Sequence, residues 1–484
     1  MSLSALPAKD AVPPEPRVQP IGLSSEVEEA LYEVRKKIYP RAVHGWFAGW
    51  RWTLVWFTQI LFYGSVWMTW NGRQAVLFDL VQRKFYIFGL VLWPQDFIYL
   101  AVLLVVAALT LFLFTAVAGR LFCGYACPQT VYTEIFLWIE RHVEGERGAR
   151  MKLDTGPKDF ERFAKKAIKH TFWIVISLYT GLTFVGYFTP IRTLIPEIWN
   201  VQVGPWEGFW ILFYALATYG NAGWMREQVC KYMCPYARFQ SSMFDHDTMI
   251  ITYDTERGEP RGGRSRKADP KELGLGSCVD CGICVQVCPT GIDIRKGMQY
   301  ECIGCAACVD GCDQVMDKMG YPRGLIRYST ENALHNHWSP RQVWKRVARP
   351  RTLIYAAILG AIICAFLGTL AFRVPLKVDV IRDRGTMARL VEDGMVENVY
   401  TLRVMNTQEE RRRYVIKVSG IDSIAVASEA VVEVPGATTV SYPVRVRVLP
   451  SRGLQGSNRI EFEVRALNHD DVIVHEKSVF LVPR

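Results

Sequence analysis

Two cysteine-rich runs, CVDCGICVQVCP and CIGCAACVDGCD, limit most strongly what this chain can fold into. Both space their thiols as C-x2-C-x2-C-x3-C, and a proline follows the first run. This spacing is typical of bacterial ferredoxins with two 4Fe–4S clusters, in which the fourth cysteine of each run ligates the other run's cluster. The pattern predicts one cluster on Cys278, Cys281, Cys284 and Cys312, and a second on Cys302, Cys305, Cys308 and Cys288.

Zinc is the alternative occupant of these runs, because C-x2-C pairs also build four-thiolate zinc sites. Two successive runs with the same spacing are much rarer in zinc sites, which favours iron and sulfur. Gly282 and Gly304 are expected to supply unusual backbone dihedrals beside the clusters. Asp313 stands where a second proline is usual, and we expect it to alter a turn and no ligand.

Long apolar stretches indicate a membrane protein, since a transmembrane helix needs about 20 mainly apolar residues. Two shorter apolar pieces, Phe85–Trp93 and Val131–Ile139, are predicted to be interfacial or re-entrant. The stretches predicted to span the membrane are Trp52–Trp70, Phe97–Ala118, Ile168–Phe188, Phe209–Trp224 and Leu353–Phe372.

The chain has a net charge of +10, and its lysines and arginines cluster beside these apolar stretches. This placement is typical of residues that flank membrane helices, and it argues against nucleic-acid binding. The charged run from Glu140 to Arg147 is interpreted as a solvated face.

Lysine and arginine are densest between the second and third predicted helices, so the positive-inside rule places the N-terminus inside. Five crossings then place the C-terminus outside the cell membrane.

The C-terminal part alternates polar and apolar residues in short runs such as RYVIKVSG and RIEFEVRAL. Six or seven such strands predict an immunoglobulin-like sandwich.

The predicted fold class is therefore a multidomain membrane protein, with about five transmembrane α-helices, a cytoplasmic two-cluster 4Fe–4S ferredoxin-like domain and an all-β immunoglobulin-like sandwich. The predicted domains are a cytoplasmic tail with an amphipathic helix (1–45), a four-helix transmembrane domain (46–240), the ferredoxin domain (241–350), the fifth helix (351–373) and the exported sandwich (374–484).

A second cysteine pattern, C-x3-C-P, occurs in CGYACP (Cys123, Cys127) and again in CKYMCP (Cys230, Cys234). Residues i and i+4 share a helix face, and the residue before a proline disfavours the helix. Each pair is therefore expected at a helix end or break, on the ferredoxin side of the membrane, where four thiols could converge. Soft thiolates favour Cu(I), zinc or iron–sulfur clusters. The alternative is that these are buried cysteines acting as small hydrophobic residues.

With these motifs the chain resembles the cytochrome c oxidase accessory proteins, the CcoG family also called FixG or RdxA. The resemblance covers nearly the whole length and rests on KIYPRAVHGWF, FGLVLWPQDF, RLFCGYACPQTVYTEIFLWIER, CKYMCPYARFQ, both ferredoxin runs and the C-terminal domain. The membrane part is also similar to the quinol dehydrogenase subunits of periplasmic nitrate reduction. Those relatives lack the exported domain, so the accessory family fits better.

The resemblance implies a bacterial inner-membrane protein with a periplasmic sandwich, which serves assembly of the cbb(3)-type oxidase. It also implies cupric reductase activity, with copper as the substrate and Cu(I) delivered to copper chaperones and to oxidase assembly factors or subunits. Carried onto this chain, the copper role falls on Cys123, Cys127, Cys230 and Cys234.

Two other functions stay open: a quinol dehydrogenase-like electron-transfer module, and an assembly scaffold that binds copper chaperones through its exported domain. The electron donor, a quinol or a cytoplasmic reductant, also stays open. A homodimer is a further possibility that these motifs leave undecided.

Overall fold

The computed structural model describes residues 37–482, except residues 271, 384–387, 392–393, 450–454 and 468. The chain divides into two units, Met1–Tyr39 and Pro40–Arg484. The tail and amphipathic helix predicted for residues 1–45 therefore lie mostly outside the described residues. The described end of that segment, residues 37–45, is not helical.

Helices make up most of the region before the cysteine-rich runs. The Cys127 and Cys234 positions each immediately precede the proline that begins a helix, as the C-x3-C-P pattern predicts. In chain order the elements are α1 (Trp46–Ser65), α2 (Phe97–Ala118), α3 (Leu121–Tyr125), α4 (Pro128–Glu144), α5 (Arg147–Thr155), α6 (Phe160–Gly186), α7 (Ile191–Trp199), α8 (Pro205–Thr218), two π-helical segments (Tyr219–Met225 and Val229–Met233) and α9 (Pro235–Met243).

The loop between α1 and α2 consists mainly of short strands. It contains the hairpin of β1 (Thr69–Trp70) and β2 (Arg73–Gln74), followed by an antiparallel sheet of β3 (Val76–Asp79), β4 (Lys84–Ile87) and β5 (Leu90–Leu92). The Phe85–Trp93 piece is therefore β-structure, and Phe88 adopts φ 52° in the turn between β4 and β5. The predicted interfacial or re-entrant position stays a prediction. The other short piece, Val131–Ile139, lies in the middle of α4.

The cysteine-rich runs lie between two strands, β6 (Ile250–Tyr253) and β7 (Ile326–Ser329), which pair antiparallel. The region also holds α10 (Thr255–Gly258), α11 (Ile283–Gln286), α12 (Ala307–Met319), α13 (Glu331–His335) and α14 (Pro340–Val347). A long helix, α15 (Pro350–Ala371), leads from this region to the C-terminal domain. The predicted order of ferredoxin region, apolar helix and β domain is therefore present in the fold.

Three helices in the described part of the chain are long and apolar enough to cross a membrane: Pro94–Ala118, Phe160–Gly186 and Pro350–Ala371. They correspond to the second, third and fifth predicted spans. The first and fourth predicted spans are not confirmed. The helix α1 begins at Trp46 and ends at Ser65, ahead of the β1–β2 hairpin. The helix α8 gives way to π-helix after Thr218, where glycine and asparagine disfavour a regular helix.

The C-terminal domain is a sandwich of two antiparallel sheets, as predicted. Its core consists of side chains from both sheets, including Tyr400, Tyr414, Phe462 and Phe480, all fully buried. The strands are β8 (Leu376–Arg382), β9 (Arg389–Leu390), β10 (Val396–Asn406), β11 (Arg412–Ser419), β12 (Ala425–Val426), β13 (Val431–Val434), β14 (Thr439–Val448), β15 (Gly456–Ala466) and β16 (His469–Val482). One sheet has the order β12-β14-β10-β8 with β9 beside β10, and the other has β13-β11-β15-β16.

Polar contacts join the sandwich to the α1–α2 loop. The buried Asp96 carboxylate binds Arg373 at 2.6 Å and also Lys377, at the start of the sandwich. The Lys84 ammonium donates to the Ala437 carbonyl at 2.9 Å. The sandwich is thus held at several points around the small β3–β5 sheet.

Candidate metal centre

The thiol of Cys312 lies close to the first cysteine run. Its pKa is raised to about 12, mainly by burial and further by charges that include Cys284, Cys278 and Cys281. Because such effects act over short distances, the four thiols occupy one neighbourhood. The first quartet, Cys278, Cys281, Cys284 and Cys312, is therefore assembled across the two runs.

The thiol of Cys288 lies among the cysteines of the second run. Burial raises the pKa of Cys302 to about 12, and the charges of Cys305 and Cys288 add to the shift. Burial also raises the pKa of Cys308, with Cys305, Cys302 and Cys288 contributing. A small cavity between them is lined by the second quartet (Cys288, Cys302, Cys305 and Cys308) and by isoleucines that include Ile251, Ile292 and Ile303.

Both runs share one backbone conformation. Gly282 and Gly304 adopt φ 65° and 68°, as predicted, but Asp280 and Ala306 also have positive φ, at 51° and 56°. The second residue after the first cysteine and the residue after the second cysteine are therefore left-handed in both runs. Such non-glycine positions occur mostly where the surroundings impose them.

Asp313, predicted to alter a turn, lies inside α12, and its carboxylate accepts a hydrogen bond from the Gly324 amide at 2.9 Å. A proline at this position would break the helix.

The residues of both quartets fit a 4Fe–4S cluster each, since four thiols lie around each site and the second encloses a cavity with apolar walls. Burial raises the pKa of thiols in both quartets, including Cys284, Cys302 and Cys312, so their binding to a cluster releases protons. In the described part of the chain no three His, Cys, Asp or Glu side chains are grouped closely enough to hold a single metal ion. A cubane keeps its four ligands further apart than one ion does, which suits this arrangement.

The four C-x3-C-P thiols also share one neighbourhood. Burial raises the pKa of Cys123 to about 12, with further charge effects from Cys127, Cys230 and Cys234. Burial likewise raises the pKa of Cys230 to about 11. The Cys127 sulfur accepts hydrogen bonds from the backbone amides after it, which partly offset the effect of burial on its pKa. The thiols named by the sequence pattern therefore do converge, and we call them the thiol set.

Gly124, inside the first C-x3-C-P motif, packs directly on the loop of the second quartet. A Cβ atom at Gly124 would lie 2.8 Å from the Cα of Cys305 and 2.9 Å from the carbonyl carbon of Gly304. Cys123 and Cys230 pack against the same core as the ferredoxin cysteines. The thiol set and the second quartet are thus separated by little more than backbone.

Three polar side chains that the sequence patterns did not identify stabilise this junction. The buried Arg120 donates to the Ala237 carbonyl, and its charge lowers the pKa values of Cys123, Cys230 and Cys302 against the effect of burial. Arg51 donates to the Cys305 carbonyl at 3.0 Å, and the Tyr328 hydroxyl donates to the Gly304 carbonyl. The position of Arg120, three residues before Cys123, was the one local signal among them.

A buried ion network supports the second motif and corrects the interpretation of residues 140–147 as a solvated face. Glu140 is 1% exposed and binds Arg226 at 2.9 Å, Arg150 at 3.1 Å and Lys169 at 3.4 Å. Glu144 is also buried and binds Lys169 at 2.8 Å. Since Arg226 lies between the two π-helical segments, Glu140 fixes the segment that carries Cys230.

Protein-family models match three parts of the chain. One described as "4Fe-4S binding domain" matches residues 100–144, and one described as "4Fe-4S dicluster domain" matches residues 225–331. A third, the "IG-like fold at C-terminal of FixG", matches residues 366–483. The "Nitrogen fixation protein FixG" of Rhizobium meliloti is 38% identical over 429 residues, which cover 82% of each chain.

This chain belongs to the FixG/RdxA family. "Protein RdxB" of Cereibacter sphaeroides is 38% identical over 93% of this chain and 97% of its own length. "Protein RdxA" of the same organism is 37% identical over 88% of this chain and 92% of its own length. This FixG/RdxA protein is therefore a membrane-associated iron–sulfur protein of the oxidoreductase class, with an immunoglobulin-like C-terminal domain.

Proposed function

We propose that this chain is a membrane-bound cupric reductase that converts Cu(II) to Cu(I) in support of cbb(3)-type cytochrome c oxidase assembly. Two 4Fe–4S clusters, one on Cys278, Cys281, Cys284 and Cys312 and one on Cys288, Cys302, Cys305 and Cys308, would supply single electrons. The observation that carries the proposal is the direct packing of Gly124 on the Cys305 loop. This contact supports the proposal because it would bring a soft-ligand site next to a one-electron source.

The thiol set would bind copper and favour its reduced state. Cu(II) prefers nitrogen and oxygen ligands in a tetragonal arrangement, whereas thiolates select Cu(I). A site built of Cys123, Cys127, Cys230 and Cys234 would stabilise the product of a one-electron reduction. The thiols are not grouped around a single ion, so copper binding would draw two or more of them together.

In this proposal the chain lies in the bacterial inner membrane, with the ferredoxin domain in the cytoplasm and the sandwich in the periplasm. The basic residues beside the predicted spans support this orientation. The sandwich would bind copper chaperones, assembly factors or oxidase subunits, since immunoglobulin-like domains outside membranes commonly act as binding modules. The electron donor is a quinol or a cytoplasmic reductant.

The test is performed on protein that is purified without oxygen and reduced. Cu(II) is added, and the loss of reduced-cluster absorbance is compared with the absorbance of a Cu(I) chelator. We expect Cu(I) to appear in step with cluster oxidation. The double variant Cys123→Ser, Cys230→Ser should lose Cu(I) formation and keep its ferredoxin clusters, whereas Cys364→Ser, an exposed cysteine in α15, should behave as wild type. Unchanged copper reduction in the double variant would place the copper elsewhere.

An iron–sulfur cluster is the second candidate for the thiol set. The match of residues 100–144 to a 4Fe–4S binding domain favours it, because Cys123 and Cys127 are the only cysteines in that range. Iron analysis separates the two candidates. If the thiol set holds a cluster, the double variant loses about one third of the iron, since three sites become two; if it holds copper, the iron content does not change.

A further inference from the structure

A cavity of about 280 Å³ lies between the N-terminal end of α1, the helices α4 and α5, and the ferredoxin region. Pockets for small molecules start near this size. The part of the wall from the ferredoxin region consists of Val287, Pro289 and Ala307. The cavity is separate from the small space inside the second quartet, and no proposed copper ligand lines it.

The charge of this cavity is positive. Four arginines line it, namely Arg41, Arg51, Arg141 and Arg150, together with one carboxylate, Glu134. Arg150 is neutralised by Glu140 at 3.1 Å, which leaves three arginines against one carboxylate. Arg51 is buried and lies near the carboxylates of Glu134 and Asp310, whereas Arg41 is exposed to solvent. An excess of positive charge remains at the cavity, and it attracts anions. The cavity therefore favours an anion.

Arg51 links the cavity to the second quartet. Its side chain is only 7% exposed, and one guanidinium nitrogen donates to the Cys305 carbonyl. This hydrogen bond holds the guanidinium group of Arg51 between the cavity and the loop of the second quartet.

The wall of the cavity also adjoins the second quartet. Pro289 follows Cys288 directly, and Ala307 precedes Cys308 directly. An occupant would therefore lie next to two of the four thiols that are proposed to hold a cluster. Trp52, Leu137 and Val287 give the cavity apolar surface suited to a flat ring. An anionic, aromatic molecule in this position is well placed to act as the electron donor.

We propose that this cavity binds a phosphate-bearing aromatic reductant, a reduced flavin nucleotide, with the phosphate on Arg41, Arg51 and Arg141. The inference rests on the proposed function for the destination of the electrons. Oxidation of one reduced flavin releases two electrons and two protons. The electrons convert two Cu(II) to two Cu(I), and the protons pass to solvent by way of Glu134 or His44, which line the cavity.

The test compares flavin mononucleotide with riboflavin, which has the same ring and no phosphate. Binding of each oxidised flavin to the full-length protein is measured by quenching of flavin fluorescence, and cluster reduction by each reduced flavin is followed without oxygen. The variant Arg41→Gln, Arg141→Gln removes two of the three arginines proposed to hold the phosphate and leaves the Arg51–Cys305 hydrogen bond. Lys158→Gln, an exposed lysine before α6, is the matched control for loss of positive charge.

We expect flavin mononucleotide to bind more tightly than riboflavin, and the arginine variant to bind it about tenfold more weakly, as loss of charge-assisted hydrogen bonds predicts. Cluster reduction by the reduced nucleotide should slow in parallel. Equal binding of the two flavins, or equal binding by the variant and wild type, would overturn the proposal. Copper reduction by dithionite-treated protein tests the proposed function separately, because it does not use the cavity.

Discussion

The backbone amide of Ala48 donates a hydrogen bond to the carboxylate of Asp310 across 2.7 Å. Asp310 lies in α12 between Cys308 and Cys312, which belong to different quartets. The Phe47 amide donates to the other carboxylate oxygen at 3.2 Å. The N-terminus of α1 is therefore capped by a residue of the helix that carries Cys308 and Cys312, and not by a residue of its own.

Replacing Asp310 by alanine should loosen this attachment. Loss of an N-cap costs about 1 kcal/mol, so the midpoint of thermal unfolding in detergent should fall by a few degrees. The electron paramagnetic resonance signals of the reduced clusters should change as well, because Asp310 lies between their ligands. Asp317→Ala, on the exposed part of the same helix, is the control and should leave both readouts close to wild type.

Gly124→Ala should separate the thiol set from the second quartet. The new methyl group would lie 2.8 Å from the Cys305 Cα atom, and backbone atoms cannot move aside easily. Overpacking of this kind costs about 1–3 kcal/mol. We expect slower Cu(I) formation with the clusters still present, measured by rapid mixing with Cu(II). Gly148→Ala in α5, where no atom lies within 4 Å of the new Cβ, should not slow the reaction.

Glu140→Gln should destabilise the segment that carries Cys230. Burial opposes ionisation of Glu140, but the charge and hydrogen bond of Arg226, with Lys169 and Arg150, lower its pKa to about 2. Removing the charge leaves three buried cations with too little counter-charge, a loss of about 3–5 kcal/mol. Copper reduction should fall more than cluster absorbance does. Glu146→Gln, an exposed residue nearby, is the control.

The same variant gives a prediction of pH dependence. Because the folded pKa of Glu140 is depressed from 4.5 to about 2, its stabilising contribution is complete above pH 4.5 and is lost as the pH falls toward 2. The difference in unfolding free energy between wild type and Glu140→Gln should therefore be constant from neutral pH down to about pH 5, and smaller below it. A difference that grows on acidification would contradict the ion network.

Cys288→Ser should remove a ligand of the second cluster although Cys288 lies in the first run. With two ferredoxin clusters and no cluster on the thiol set, we expect the bound iron to fall by about half, with one cluster signal kept. Inductively coupled plasma analysis of iron and zinc, together with the resonance spectrum, measures this. Zinc in place of iron in the wild type would contradict the assignment of both quartets.

Asp96→Asn should weaken the attachment of the sandwich. The buried Asp96 carboxylate binds both Arg373 and Lys377, and breaking a buried pair costs about 3 kcal/mol or more. Limited proteolysis should then cleave the connection between α15 and β8 faster. Glu433→Gln, which removes an exposed ion pair with Arg411, should have little effect on cleavage.

Local spacing carried most of the correct predictions. The positive φ of Gly282 and Gly304 and the helix starts after Cys127 and Cys234 follow from residues a few positions apart. Asp280 and Ala306 share the left-handed conformation, but residues other than glycine give no sequence signal for it. The strands of the sandwich were predictable from their alternation, except short ones such as β9 and β12.

Distant partners explain what the sequence could not predict. Glu140 appears in a charged run typical of a solvated surface, yet its partners Lys169 and Arg226 lie 29 and 86 residues away. Likewise the capping of α1 by Asp310 spans 262 positions. Only the fold brings these residues together, so no local pattern reports their burial.

The contacts that hold the sandwich to Asp96, Lys84 and the β3–β5 sheet limit how far this domain can move. Asp96 and Arg120 lie at opposite ends of α2, a 22-residue helix that spans about 33 Å. A domain anchored at one end cannot swing on a hinge to the other. If the proposed function holds, copper exchanged between the sandwich and the cysteines near Arg120 therefore travels on a separate carrier and not on the sandwich itself.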